Sequence, residues 1–282
     1  MRIDDATRRL VAAALEEDLG SGDVTTESTV AEGAGGRARI VAREAGVIAG
    51  LAVAEEVFRQ LDPGIVFEAR IDDGAWAGPG ATVAAVAGSA RAILSGERVA
   101  LNFLQRLSGV ATLARRYAAA LEGSGTTVLD TRKTTPGMRR LEKAAVSLGG
   151  GANHRMGLWD AALVKDNHIA AAGGIRQAVE GVRRTAPGIT VEVEVTDLDE
   201  LEEALAAGVD RVMLDNMSVE GMRRAVARVR ESGSSVEIEI SGGLSIDDMP
   251  TIGTIGADFV SVGRLTHSVP ALDLSLEFGE DA

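Results

Sequence analysis

From residue 126 onward the chain repeats one unit: a short β-branched or aliphatic run, a polar or glycine-bearing ending, then a helical or glycine-rich stretch. Six such runs stand at 127–129, 161–164, 190–195, 211–214, 236–240 and 259–262, with helical patterns at 175–184, 198–207 and 219–230. Strand alternating with helix implies a parallel sheet with crossover connections. Near-continuous apolar strands fit burial on both faces. Six strands are fewer than the eight of a standard barrel. The expectation is therefore an α/β protein whose later part is an incomplete, about six-stranded α/β barrel. Its open side would be covered by the N-terminal layer or by a second subunit.

The strand endings carry the chemistry. In order they present Arg132 and Lys133, Lys165, Glu194, Asp215, Ser241-Gly242-Gly243, and Gly263-Arg264. In parallel barrels the βα loops all open at the C-terminal ends of the strands, so polar endings on all six units predict one shared pocket. Glycine in the last two suits close backbone approach to a phosphate. Ser245 is placed to cap the helix after Gly243, with Asp248 a poor version of the reciprocal partner.

Charge points the same way. The only lysines of the chain, Lys133, Lys143 and Lys165, lie in the stretch 130–168 with His154 and His168, and every other basic side chain except His267 is arginine. That stretch has a surplus of three positive charges in a chain of net charge −13. A cationic pocket in an acidic protein suits a small polyanion. The acidic balance argues against nucleic acid. No apolar run approaches the roughly 20 residues of a membrane span. The first residues lack an apolar signal core, and there is no cysteine for disulfides, thiolate metal sites or thiol catalysis. A cytoplasmic setting is expected.

The first hundred residues read as a smaller α/β layer. A helix is expected at 5–18, strands at 38–42, 46–48 and 65–71, and a helix at 51–61 that stops before Asp62-Pro63-Gly64. A plain hairpin is expected across 72–88. Its turn spacing is similar to that of biotinyl carrier hairpins, but no lysine precedes Lys133 to hold a prosthetic group. Long helices follow over 89–121. The division expected is 1–110 for the first domain, 111–267 for the barrel and 268–282 for a tail returning to the first domain.

Each candidate has a plainer reading beside it. Lys165 is an anion ligand or Schiff-base nucleophile, or an ion-pair partner of a carboxylate. Alternation puts Glu192 and Glu194 on one side of their strand, so Glu194 reaches the rim while Glu192 must be paired deeper. Asp215 opens an Asx-type turn or lies in the pocket. His154 and Arg155 follow Gly149-Gly150-Gly151, a loop able to wrap a ligand. Arg139, Arg140 and Lys143 read equally as a solvated helix face or as ligand contacts. His168 and His267 read as structural, and Arg98 as a surface charge. No HExxH-type motif marks a standing metal site.

With these residues placed, the chain resembles the quinolinate phosphoribosyltransferase family nearly end to end. The segments EEDLGSGDVTT, GERVALNFLQRLSGVAT, DTRKTTPGMR, GGGANHRMGLWDAALVKDNH, VEVEV, LDN, ISGGLS and VGRLTHS carry the resemblance. It implies an N-terminal α/β sandwich followed by an incomplete barrel, assembled as a homodimer or a higher oligomer. It also implies conversion of quinolinate and phosphoribosyl pyrophosphate to nicotinate mononucleotide, pyrophosphate and CO₂, with no organic cofactor. By this resemblance Arg132, His154, Arg155 and Lys165 meet the quinolinate carboxylates, joined by Arg98 from a neighbouring subunit, and Thr131 is a further substrate-binding residue. Lys133 and Lys165 serve the pyrophosphate end. Ser241, Gly242, Gly243, Val262, Gly263 and Arg264 hold the 5′-phosphate, and Glu194 and Asp215 the ribose hydroxyls and a Mg²⁺ bound largely through substrate and water. The rival readings are a Schiff-base barrel aldolase using Lys165, a non-catalytic phosphate-ligand binding protein, and a transferase acting on nicotinate.

Overall fold

A computed structural model describes residues 1–279. In its first part the strands are β1 (Gly35–Ala42), β2 (Gly46–Val47), β3 (Val66–Ala69), β4 (Trp76–Ala77) and β5 (Thr82–Ser89). Then come β6 (Thr127–Leu129), β7 (Ala162–Val164), β8 (Val191–Val195), β9 (Arg211–Asp215), β10 (Glu237–Ser241), β11 (Phe259–Ser261) and β12 (Leu274–Phe278). The chain forms two units. Met1–Arg115, Thr135–Gly150 and the segment from Ser268 onward make the first; Arg116–Thr134 and Gly151–His267 make the second. The sequence reading at 110 and 267 did not separate out Thr135–Gly150, which groups with the first unit. Glu142 on that segment explains why. Its fully buried carboxylate accepts bonds from Arg106 Nε at 3.0 Å and Nη2 at 2.7 Å, and from Thr135 Oγ1 at 2.7 Å.

The first unit is built on a four-stranded antiparallel sheet of order β12-β1-β5-β3. The helix Leu51–Leu61 packs Val53, Ala54, Val57 and Phe58 inward. Its start is held from a distance: Asp73 Oδ1 accepts from the Gly50 and Leu51 amides at 2.8 and 3.1 Å, replacing a local side-chain cap. It stops where Asp62 Oδ1 accepts from the Gly64 amide at 2.8 Å. The Phe58 ring stacks on Phe67 of β3, centroids 6.2 Å apart, and burying such a side chain contributes about 2–3 kcal/mol. The hairpin expected across 72–88 is not formed. β4 leaves to pair with β2 (Val47↔Trp76), and β5 pairs back with β3 and β1. Turns at Gly74 and Gly80, with φ of 93° and 83°, set that detour. The long helices expected over 89–121 are one helix, Ala90–Ala120. Gly109 on it lies so close to Pro270 that an added Cβ would sit 2.2 Å from the Pro270 carbonyl oxygen.

The second unit is a six-stranded parallel sheet of order β6-β11-β10-β9-β8-β7. The first strand therefore lies beside the last, as in a sheet wound on itself, and the break falls between β6 and β7. Ala152 begins to fill that break: its amide donates to the Val128 carbonyl at 2.9 Å, and the Asp130 amide donates to the Ala152 carbonyl at 3.2 Å. Val193, Val212, Leu214, Ile238, Ile240 and Val260 are fully buried, as two-sided burial of a parallel sheet requires. Helix Leu198–Ala207 starts on Asp197, whose carboxylate accepts from the Glu200 amide at 2.9 Å, and ends at Gly208 with φ of 74°. The expected α/β class with an incomplete barrel is thus the observed one. Among the described residues no helix is long and apolar enough to cross a membrane.

Candidate active site

Alternate residues on each strand of the parallel sheet face one side, and their last members meet at the C-terminal rim. Two adjoining cavities open there. The smaller, about 160 Å³, is lined by Thr131, Arg132, Lys133, His154, Arg155 and Lys165, over a floor of Leu163, Met213, Glu239 and Ser261. The larger, about 490 Å³, is lined by Glu194, Asp215, Gly242, Gly243, Gly263 and Arg264, with Asn216, Leu244 and His267. Lys133, Lys165 and Ser241 line both, so the cavities form one cleft with two lobes.

In the smaller lobe one cation is held by a backbone carbonyl and another is placed by its main chain. The Arg155 side chain donates to the Ala161 carbonyl at 3.1 Å, and the Lys133 amide donates to Thr131 Oγ1 at 3.1 Å. Burial and then the neighbouring Arg132 charge pull the Arg155 guanidinium below its ordinary value. Guanidiniums that repel one another in a shared lobe favour an anion between them. The loop after Arg155 is closed by Asp160, which accepts from the Met156 and Gly157 amides at 2.6 and 3.0 Å.

His154 faces inward. Its amide donates to the buried Asp130 at 2.9 Å, and its Nδ1 accepts from the Arg155 amide at 2.7 Å. In the neutral ring the proton is then on Nε2. Nε2 lies 3.0 Å from Glu192 and 3.5 Å from Glu239, contacts that are close but not aligned as hydrogen bonds. A carboxylate gripped by His154 would have to displace one of these partners. Burial pushes both carboxyls up, Glu192 to about 7 and Glu239 to about 8, the latter also through the Glu192 charge. Arg211, 3.4 Å from Glu239, and His154 oppose the shift. Each carboxyl keeps one buried oxygen without a hydrogen-bond partner. Two such groups in contact do not both ionise near neutral pH. The ligand atoms of the trio lie within 4.8 Å of one another. The Nε2 tautomer makes it a better holder of protons than of a metal ion, which would have to displace the Nε2 proton.

At the rim of the larger lobe, Lys165 Nζ pairs with Glu194 Oε2. Its backbone is fixed by His168, whose Nδ1 accepts from the Lys165 amide at 3.0 Å, the structural role expected for that histidine. The Ser245–Asp248 reciprocal cap is formed as expected: Asp248 accepts from the Ser245 amide and hydroxyl at 2.7 and 2.8 Å. Gly263 brings backbone up to Lys133, whose Cδ would be 3.1 Å from an added Cβ.

Val262 and Arg98 line neither cavity. Val262 is buried, its amide donating to the Leu129 carbonyl at 3.0 Å. Arg98 belongs to the first unit and lies on helix Ala90–Ala120, its side chain 58% exposed. Arg140 and Lys143 also belong to the first unit; Arg140 pairs with Asp4, and Lys143, expected on a solvated face or in ligand contact, is fully buried. Glu239 and Asn216 were missed by sequence reasoning, and His267, read there as structural, lines the larger lobe. Glu239 alternates with Glu237 as Glu192 does with Glu194, which was the available signal.

An open parallel α/β barrel with a cationic two-lobed cleft and glycine loops at its rim defines a barrel protein built to take small polyanions. Comparison with known proteins narrows the class. The chain belongs to the quinolinate phosphoribosyl transferase family: the N-terminal domain of that family matches residues 23–108 and its C-terminal domain residues 110–277. It is 44% identical over 264 residues to a probable nicotinate-nucleotide pyrophosphorylase [carboxylating] of Synechocystis, covering 93% of this chain and 89% of the relative. It is 42% identical over 278 residues to the nicotinate-nucleotide pyrophosphorylase [carboxylating] of Mycobacterium leprae, covering 97% of each. The solved nicotinate-nucleotide pyrophosphorylase of Francisella tularensis superposes with a TM-score of 0.94 at 41% identity, covering 99% of this chain and 98% of that one.

Proposed function

We propose that this chain transfers the phosphoribosyl group of phosphoribosyl pyrophosphate to the ring nitrogen of quinolinate with loss of CO₂, yielding nicotinate mononucleotide and pyrophosphate for NAD biosynthesis. The observation that carries the reading is the two-lobed cleft with Lys133 and Lys165 common to both lobes. The smaller lobe suits a ring dicarboxylate, with Arg132 and Arg155 as its cations and Thr131 and His154 beside them. The larger lobe suits the sugar phosphate, with Gly242, Gly243, Gly263 and Arg264 for the 5′-phosphate. Lys133 and Lys165 then stand where ring acid and pyrophosphate meet. Family membership favours this over the Schiff-base aldolase, the binding-only protein and the nicotinate-specific transferase.

The chemistry follows from the charges. The bond from the ring nitrogen to the anomeric carbon forms as the bond from that carbon to pyrophosphate breaks, the electron pair leaving with pyrophosphate. Positive charge develops on the ribose, and the Glu194 and Asp215 carboxylates are the groups at hand to stabilise it. Holding the ring by its carboxylates supplies the orientation. The alkylated nitrogen is cationic, so when the bond from ring C2 to its carboxylate breaks, the pair left on C2 is stabilised until a proton arrives. An incoming pyrophosphate must also draw Lys165 from Glu194, which frees that carboxylate for the ribose.

A Mg²⁺ ion accompanying phosphoribosyl pyrophosphate fits Glu194 and Asp215, hard oxygen donors on adjacent strands that both line the larger lobe. When bound it would neutralise charge on the departing pyrophosphate. A homodimer in which Arg98 reaches a neighbouring subunit's cleft, and a cytoplasmic setting, belong to the same proposal. The exposed Arg98 guanidinium supports the first, the cysteine-free chain the second.

The test is release of pyrophosphate and CO₂ from phosphoribosyl pyrophosphate and quinolinate, with nicotinate as the comparison acid. Quinolinate-dependent release of both products in equal amounts is expected. Equal turnover of nicotinate, or borohydride trapping of a substrate on Lys165, would overturn the reading.

A further inference from the structure

The loop from β9 to the helix Val219–Glu231 contains a backbone feature that the proposed chemistry leaves unused. Asn216 has φ of 52°, and among the described residues it is the one non-glycine residue with positive φ. Asparagine tolerates that conformation better than most residues, but glycine adopts it more easily still. The plain account of Asn216 is a turn residue. Its side chain argues for more.

Asn216 touches three groups at the rim of the larger lobe. Its amide nitrogen Nδ2 donates to Asp215 Oδ2 at 2.6 Å. Its backbone N–H donates to the Ser241 carbonyl at 3.0 Å, extending the β9–β10 ladder one step past the Ser241↔Asp215 pair. Its Oδ1 lies against Gly242, where an added Cβ would be 3.1 Å away. Gly242 has φ of 148°, so Asn216 packs on a residue whose own conformation favours glycine. The next helix does not need the amide, since its start is capped by Ser218 Oγ accepting from Gly221 at 3.1 Å. The ladder contact uses only backbone and would survive replacement by glycine. What glycine would lose is the grip on Asp215 and the packing on Gly242.

We propose that Asn216 is a positioning residue for the phosphoribosyl half of the reaction, locking the Asp215 carboxylate in register with the Ser241–Gly242 loop. The inference rests on the proposed function. It assigns to Asn216 recognition of phosphoribosyl pyrophosphate and none of quinolinate. A lone carboxylate on a strand end can rotate; one held by an amide and backed by the neighbouring strand's loop is preorganised for ribose hydroxyls.

The experiment compares Asn216→Gly and Asn216→Asp with the wild-type chain by steady-state kinetics, thermal unfolding, and calorimetric titration of phosphoribosyl pyrophosphate with and without Mg²⁺. Asn216→Gly should keep or raise the melting temperature. It should raise KM and Kd for phosphoribosyl pyrophosphate about tenfold or more, the effect of losing a hydrogen bond to a charged group, while KM for quinolinate stays put. Asn216→Asp, which sets a second carboxylate against Asp215, should weaken phosphoribosyl pyrophosphate binding further. Wild-type values for Asn216→Gly, or an equal rise in both KM values with a lowered melting temperature, would overturn the inference while leaving the proposed function intact. A wild-type chain that neither binds nor turns over phosphoribosyl pyrophosphate would overturn both.

Discussion

Each unit buries acidic side chains, and it treats them differently. In the first unit Glu142 is fully buried, and Arg106, the Thr135 hydroxyl and the Thr135 amide at 3.1 Å all point at its two oxygens. In the second, Glu192 and Glu239 are equally buried, yet they face each other and His154, and each keeps an oxygen without a hydrogen-bond donor. The first arrangement is what a fold uses to fasten a segment. The second is costly to a fold and sits under the lobe where ligand chemistry is expected. Saturated donors and acceptors mark architecture; unsatisfied ones beneath a cleft mark a site.

The contrast can be broken most directly at Glu142. Glu142→Ala should cost about 3–5 kcal/mol in urea unfolding, because it removes the buried carboxylate on which Arg106 and the Thr135 hydroxyl and amide all converge. Glu239→Met should cost much less, or stabilise, since it removes a buried carboxyl that is crowded by Glu192 and keeps one oxygen without a hydrogen-bond partner. Comparable losses from the two would erase the distinction. Next in size, Lys165→Ala should lower kcat/KM about 10²–10³-fold with little change in melting temperature, the scale of a lost contact to developing charge. Mixing Arg98→Ala with Lys165→Ala tests whether the first unit contributes to catalysis. Subunit exchange should restore about a quarter of wild-type activity, from the intact site of each hybrid dimer. No recovery despite demonstrated exchange would remove Arg98 from the site.

The pH dependence of stability tests the same buried pair. Glu192 and Glu239 hold protons to about 7 and about 8 in the fold, against 4.5 as their ordinary value. Between those limits the folded chain binds more protons than the unfolded one, so this part of the stability is intact below the window and is lost as pH rises through it. Melting temperature should therefore decline from pH 5 to pH 8.5. Glu239→Gln should flatten the decline; an unchanged slope would show that the pair is not its source.

The sequence made the second unit legible and blurred the first. All six parallel strands were read because each is an apolar run ending in a charge or glycine, a pattern that burial on both faces imposes. The helices Leu51–Leu61 and Leu198–Ala207 were visible through their periodicity and their stops. β2 and β4 are two residues each, too short to carry a period, so their pairing and the missing hairpin were invisible. The placement of Thr135–Gly150 depends on what Glu142 meets across 36 residues of sequence, which local pattern does not encode. At the cleft, the cationic members and glycine loops announced themselves. Glu239 did not, because EIEIS alternates just as an amphipathic strand would; nor did Asn216, whose meaning lies in one dihedral angle. The arginine and lysine of the 139–143 segment were ambiguous for the same reason, and Lys143 turned out to be buried.

The strand order has a consequence for how the molecule is made. β6 waits for β11 to lie alongside it, and β1 waits for β12, so each sheet recruits a strand translated more than a hundred residues later. Such long-range pairings slow folding and leave edges exposed meanwhile. On the ribosome neither sheet is complete until its late strand has emerged, and a nascent chain halted before residue 274 would leave β1 paired with β5 alone.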